Sequence, residues 1–375
     1  IYNFIMKKIK KKDEEFDQIQ IIYLLAGIVI LVGIILGVWF IYGYFTYENR
    51  ENTVINLKNQ EENQKMCKYQ RILDGVCVET NSEINPKLVA VMIENHSEAR
   101  PQSGLSQASV VYEVPVEANY TRFLVIYPAN ISINEVGPIR SARPYYLDWL
   151  SEYGEAQYMH VGGSPVSLDL IKKYKINDLN EFYHGWYYWR STKRSAPHNV
   201  YTSSELWNKA LENYEDNYKN QEYESWKFDN ELKMNKEESI THKNSIVNFV
   251  EEIKISFLSP IYEAIWKFNT STNKYERYQM GQPHTDYDNT PIIADNVIVQ
   301  KVTSQVLDSI GRLAIDTIGS GEVIIFQNGF FIEGTWKKEE RSSRTKFYDS
   351  NDEEIKLNPG KIWIEIANER TKVSY

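Results

Sequence analysis

LVAVMI (88 to 93), SVVYEVPV (109 to 116), RFLVIY (122 to 127) and AQYMHV (156 to 161) are short apolar runs rich in β-branched and aromatic residues. Runs of this length read as strands. Between and after them lie helical patterns, Pro144 to Tyr153 and Pro165 to Tyr174, each opened by a proline at the first-turn position where its missing N–H costs nothing; a third starts near Ser203 and Ser204. Strands interleaved with helices predict an α/β domain with a mixed sheet over residues 86–225.

C-terminal to this region, Asn208 to Ser239 is charged and weakly patterned, which predicts a helix end followed by a linker. Beyond Ile240 the strand signals crowd together: EIKISF, YEAIWKF, KYERYQM, NVIVQKV, RLAIDTI, EVIIFQ, FFIEGTW and KIWIEIA. Turn pairs such as Asn328-Gly329 and Pro359-Gly360 separate them. Residues 226–375 are therefore expected to form a mainly antiparallel β domain, which makes the fold class α+β overall.

On the N-terminal side, residues 19–47 carry no charge, and Ile21 to Tyr42 is almost wholly apolar, long enough to cross a bilayer as a helix. Trp39, Phe40, Tyr42, Tyr44, Phe45 and Tyr47 follow where a signal peptide would carry small residues, so the helix is expected to be retained as a signal anchor. The Lys7, Lys8, Lys10, Lys11, Lys12 cluster places residues 1–18 in the cytoplasm and everything after residue 47 outside it, a single-pass topology in the cytoplasmic membrane. Gly33 and Gly37 form a GxxxG pair, through which a dimer is one expectation. Residues 48–85 are polar and read as a stalk. Its Cys67 and Cys77 are the chain's two cysteines, and in an oxidising compartment they predict a disulfide.

The chain has 375 residues, a formal charge of −9 and a pI near 5.4, which argues against nucleic-acid binding. The sequence contains no GxSxG, HExxH or P-loop, and its six histidines show no metal-ligand spacing, so no cofactor and no metal are expected.

Four features remain as candidate chemistry. HVGGSP (160 to 165) sits at a strand-to-helix junction, with Ser164 as N-cap; Gly162 and Gly163 allow either close approach of an anion or simply a tight turn. GPIRSARP (137 to 144) holds Arg140, Ser141 and Arg143; the arginines suit bidentate carboxylate or phosphate recognition, or plain salt bridges. The loop 183–203 interleaves aromatic residues with His184, Arg190, Lys193, Arg194 and His198, which suits an anionic ligand, a sugar or a covered interface. Glu94, Glu113 and Glu117 lie on or beside strands, with Glu113 and Glu117 expected on one face; with His160 and His198 they are the candidate catalytic groups of a hydrolase. In the second region His284 and Asp286 read as a polar pair or as turn formers.

The strings VAVMIENHSEARPQSGLSQASVVYE, GPIRSARPYY, HVGGSP and RSAPHNVYTS, followed by GQPHTDY, ADNVIV, GSGEVIIF and GTWKK, resemble the YerB-like family of bacterial surface lipoproteins, over nearly everything from Leu88 to Tyr375. The resemblance implies two domains outside the cytoplasmic membrane and no defined activity. Many relatives carry a lipidated cysteine after the signal; here none follows the apolar segment closely, so residues 19–47 would anchor the chain in the bilayer.

Three functions follow as expectations. The first is a module that binds an anionic cell-envelope polymer or peptide through Arg140, Ser141, Arg143, His160, Gly162, Gly163, Ser164, Arg190, Arg194 and His198. The second is a cell-wall hydrolase acting on glycan or peptide. The third is an interaction subunit for a membrane protein partner.

Overall fold

The computed structural model describes Leu31, Gly33 and residues 36–40, 67–218, 222–229 and 249–375. Residues 1–18, expected in the cytoplasm, nearly all of the expected anchor 19–47 and the expected stalk up to residue 66 lie outside the described residues, as does most of the linker before residue 249. Among the described residues no helix is long and apolar enough to cross a membrane.

Residues 67–375 form one compact unit, built on a mixed sheet that runs, edge to edge, Lys346–Tyr348, Phe330–Lys338, Gly319–Gln327, Asn296–Lys301, Ile362–Ala367, Val110–Pro115, Thr121–Pro128, Leu88–Glu94, Gln157–His160 and Asp178–Asn180. All four apolar runs of the first region are strands of this sheet. The expected helices appear as Tyr146–Leu150, continued by a 3-10 turn, Pro165–Lys173 capped by Ser164, and Ser204–Asn213 capped by Ser203. The last long strand, Ile362–Ala367, inserts parallel between Asn296–Lys301 and Val110–Pro115, so strands from both sides of residue 226 share one sheet.

The strands read as continuous apolar runs because both faces are buried. Val89, Val91, Ile93, Val111, Phe123, Val125, Val297 and Trp363 face Trp207 of the helix Ser204–Asn213 and a second, antiparallel sheet carrying Trp266 and Tyr275. Leu88, Ala90, Met92, Tyr112, Leu124, Ile298 and Ile364 face Tyr146, Trp149 and Tyr153. The second sheet contains Glu252–Ser256, Ala264–Asn269, Lys274–Gln279 and the C-terminal Lys372–Ser374. The Asn328-Gly329 turn closes the hairpin between Gly319–Gln327 and Phe330–Lys338, both residues having positive φ (56° and 78°), as a tight two-residue turn requires.

Two expectations change. Within the span read as stalk, residues from Cys67 onward are packed: the Cys67–Cys77 disulfide closes a small hairpin, Leu73 is fully buried, and Gly360 N donates to Asp74 O at 2.8 Å. Its polar composition gave no periodic signal because a single leucine anchors it. The second change concerns Glu113 and Glu117: the strand ends at Pro115 and Glu117 begins a 3-10 turn, so strand alternation does not carry to Glu117.

Glu113 is instead fully buried, with Arg277 Nη2 donating to its Oε2 at 2.5 Å and Asn95 and Thr121 donating to Oε1. The Arg277 guanidinium lies 5.1 Å from the Trp363 ring centroid and 5.8 Å from that of Trp266. Glu365 stands beside Glu113 across the parallel pairing; burial, with the neighbouring Glu113 charge, pushes its carboxyl well above the usual range, and Trp266 Nε1 donates to it at 2.8 Å.

Removing one partner of so dry a pair strands the other. Arg277→Ala is expected to cost about 3–5 kcal/mol in urea unfolding. The double variant Glu113→Gln, Arg277→Met should lose clearly less than the sum of the single losses; additivity would show that the two side chains do not depend on each other.

Candidate functional site

The two arginine- and glycine-bearing loops meet where Ala142 bridges Gly163, with Ala142 N donating to Gly162 O at 3.0 Å and Val161 N to Arg140 O at 3.1 Å. Gly162 has φ +59°, so this position favours glycine for its dihedral; a Cβ there would stand 2.6 Å from the ring of Phe182, an exposed side chain that could turn aside. Ser164 Oγ accepts from Ser167 N at 3.3 Å, and the helix Pro165–Lys173 starts there.

Together the loops line a cleft of about 310 Å³ formed by Glu117, Ser141, Arg143, Gly163, Ser164, Pro165, Ile310 and Arg312. Four sequence-expected binding residues, Ser141, Arg143, Gly163 and Ser164, are among them, joined by Glu117. Ile310 and Arg312 come from the hairpin Ser304–Val306 to Leu313–Ile315, whose Gly311 approaches the turn at Ala118.

Glu117 is gripped through both oxygens by Arg143, from Nε at 2.9 Å and from Nη2, while Arg122 Nη2 lies 3.9 Å away. Burial pushes its carboxyl up, but the Arg143 hydrogen bond and the two guanidinium charges outweigh that and hold it at about 2. Arg312 pairs with Asp308 through Nε at 2.8 Å. Around the cleft three arginines therefore face two carboxylates, a surplus of one positive charge.

The remaining candidates gather elsewhere. Glu94, buried at the end of its strand, takes Arg140 Nε at 2.8 Å on one oxygen and His198 Nδ1 at 2.8 Å on the other. Arg194 donates to the carbonyls of Glu98, Arg100 and Pro101, fastening the turn after that strand. His160 is buried, with Nδ1 on Gly162 O and Nε2 on Asp178 Oδ1, both at 2.7 Å. Arg190 reaches Glu181 and Asn199 at the surface. Of the five hydrolase candidates, Glu94, Glu113, Glu117, His160 and His198, only Glu94 and His198 touch. His284 and Asp286 do not pair: His284 Nε2 faces Gln102 Oε1 at 2.9 Å, and Asp286 accepts from the amides of Leu105 and Ser106.

In the aromatic loop Tyr187 and Tyr188 are buried, while Tyr183 and Trp186 stay exposed beside Phe182. A larger cleft of about 840 Å³ opens near Lys301, Glu322, Trp336, Glu369 and Tyr375. Lys301 and Glu322 pair with each other at 2.6 Å there, and none of the expected residues lines it.

Residues missed by the sequence reading are Arg122, Ile310 and Arg312 at the small cleft, and His96 and Glu98 beside Glu94; Arg100, which matches the family motif together with Glu94, also lies there. Arg122 lies within the run RFLVIY, and His96 and Glu98 within the strings that carry the resemblance, but only the fold shows what they meet.

Because the Glu117 carboxyl is depressed in the folded state relative to its ordinary 4.5, its contribution to stability is present above pH 4.5 and lost as pH falls toward 2. Glu117→Gln should cost about 1–3 kcal/mol at pH 7. The gap to the unsubstituted chain in thermal melts should close between about pH 4.5 and 2; a gap independent of pH would contradict the ionised pair.

Residues 73–219 match the family described as "Protein of unknown function (DUF3048) N-terminal domain", and residues 253–364 match its C-terminal domain. A Bacillus subtilis (strain 168) protein described as "Putative lipoprotein YerB" is 31% identical over 288 residues, covering 74% of this chain and 80% of its own. The crystal structure of YerB protein from Bacillus subtilis superposes with a TM-score of 0.69 at 27% identity, covering 82% of this chain and all of that one. The two family matches together take in well over half of the sequence, in the order the motifs predict. This chain belongs to the two-domain DUF3048 family, whose YerB-like members its motifs resemble.

Proposed function

We propose that the chain is a membrane-anchored protein of the bacterial envelope, exposed outside the cytoplasmic membrane, that binds an anionic wall polymer or peptide in the cleft between Arg143 and Arg312. The apolar stretch 21–42 with its basic flank, and the lipoprotein description of the Bacillus relative, support the location. The observation that carries the binding reading is convergence: the two loops read from sequence as anion-binding share one cleft of about 310 Å³, and its charged neighbours leave a positive surplus in a protein of net charge −9.

Arg143 is committed to Glu117, so its role is to shape the wall, whereas Arg312, on the partly exposed hairpin, can turn toward a ligand carboxylate or phosphate. The start of the helix at Pro165 adds its positive end to the same wall. A stem-peptide carboxylate or a polymer phosphate meets this chemistry.

The full chain, solubilised in detergent, is expected to co-sediment with purified sacculi, more weakly at high salt. Arg312→Glu should lower the bound fraction at least fivefold, while Lys267→Glu, an exposed charge on the second sheet, should leave it unchanged. Equal binding by both variants would sink the cleft assignment. Release of soluble fragments would instead favour hydrolysis at the Glu94–His198 contact.

A further inference from the structure

A second cluster of chemistry-bearing side chains forms where the strand Leu88–Glu94 ends, using none of the residues that line the cleft. His96 caps the short turn Ser97–Ala99, which contains Glu98, and His198 arrives from the loop preceding Val200–Tyr201. One ligand atom from each of the three lies within 4.8 Å of the others. His198 Nε2 stands 3.4 Å from Glu98 Oε2. That spacing equals the edge, about 3.4 Å, of a tetrahedron of nitrogen and oxygen ligands about 2.1 Å from a central ion.

The side behind His198 is already prepared. Its Nδ1 faces the Oε2 of buried Glu94 at 2.8 Å, and the other Glu94 oxygen is held by Arg140. A carboxylate on one imidazole nitrogen places the proton there and leaves the lone pair on the other, which is how metal-binding histidines are oriented. His96 stacks on His198 with ring centroids 4.7 Å apart and is flanked edge-on by Tyr120 at 5.2 Å. Its Nδ1 accepts a long hydrogen bond from Glu98 N at 3.2 Å, so coordination requires the ring to turn and give up that contact.

We infer that His96, Glu98 and His198 bind a divalent first-row transition cation of the zinc type, with Glu94 as a positioning residue. Two imidazoles and one carboxylate suit zinc; magnesium and calcium take oxygen ligands. Three protein ligands leave a fourth coordination position open. The nearby arginines are engaged: Arg140 with Glu94, Arg194 with the carbonyls of Glu98, Arg100 and Pro101, and Arg100 with Asn95 and Ile261. Their positive charge weakens the site relative to one without them, while their hydrogen bonds fix the turn that carries Glu98. The sequence predicts no metal because the two halves of the site are about a hundred residues apart, a spacing that matches no ligand motif.

The test titrates the full chain in detergent, stripped with chelator and dialysed, with Zn²⁺ by calorimetry and by competition with a chromophoric chelator, in excess Mg²⁺. One zinc per chain and a zinc-dependent rise in Tm are expected. His96→Ala and Glu98→Ala should each weaken binding at least tenfold with little change in the Tm of the metal-free chain, and Glu94→Gln should weaken it about 10- to 100-fold. Co²⁺ should give a visible d–d spectrum that His198→Ala abolishes. Absence of stoichiometric zinc, displacement by Mg²⁺, or zinc binding unchanged in both His96→Ala and Glu98→Ala would overturn the inference.

Discussion

The ion pair between Glu113 and Arg277, with no exposure on either side chain, is the interaction on which the folded unit depends. Its residues come from different halves of the chain, and neither charge can be buried without the other. The rings of Trp266 and Trp363 enclose the guanidinium, and His284 presents Nδ1 to Arg277 Nη1 at 2.6 Å. Burial together with that cation pushes the His284 imidazole well below its ordinary range, so it serves here as a neutral acceptor. On the opposite face of the sheet a second dry cluster repeats the device, with Glu152 of the first half taking Lys338 at 2.7 Å and Arg344 at 3.5 Å.

These contacts explain why a two-domain family forms one sheet here. Ile362–Ala367 reaches back to pair with Val110–Pro115, and Lys361, just before it, donates to the carbonyls of Leu105 and Ser106. Asp286 holds the amides of the same two residues. The segment 102–106 is thereby clamped to the second half by both its donors and its acceptors. The cleft inherits this arrangement, since Arg143 and Ser164 lie on one side of the chain and Arg312 on the other, and their separation is set by how the halves are stitched.

Most of the secondary structure was legible because apolar runs, helix starts and turn pairs leave local signals: Ser164 caps the helix it was expected to cap, a helix starts at Ser204 where one was expected near Ser203 and Ser204, and Asn328-Gly329 turns its hairpin. The meeting of the Arg143 and Gly163 loops was legible only as two separate motifs. Partners were not legible. Nothing in the neighbourhood of Glu113 announces Arg277, 164 positions away, and His96 and His198 are joined only because the strand Leu88–Glu94 ends beside the 198 loop. The buried Leu73 was hidden by the polar residues around it, since one anchoring side chain has no period.

The most direct test of this account is hydrogen exchange read by mass spectrometry along a urea titration of residues 67–375. Peptides covering Leu88–Glu94 and Thr121–Pro128 should lose protection at the same urea concentration as those covering Gly319–Gln327 and Phe330–Lys338. If the peptides of the second half open at a distinctly lower concentration while the first half stays protected, the halves are independent domains and the shared pair does not govern the fold.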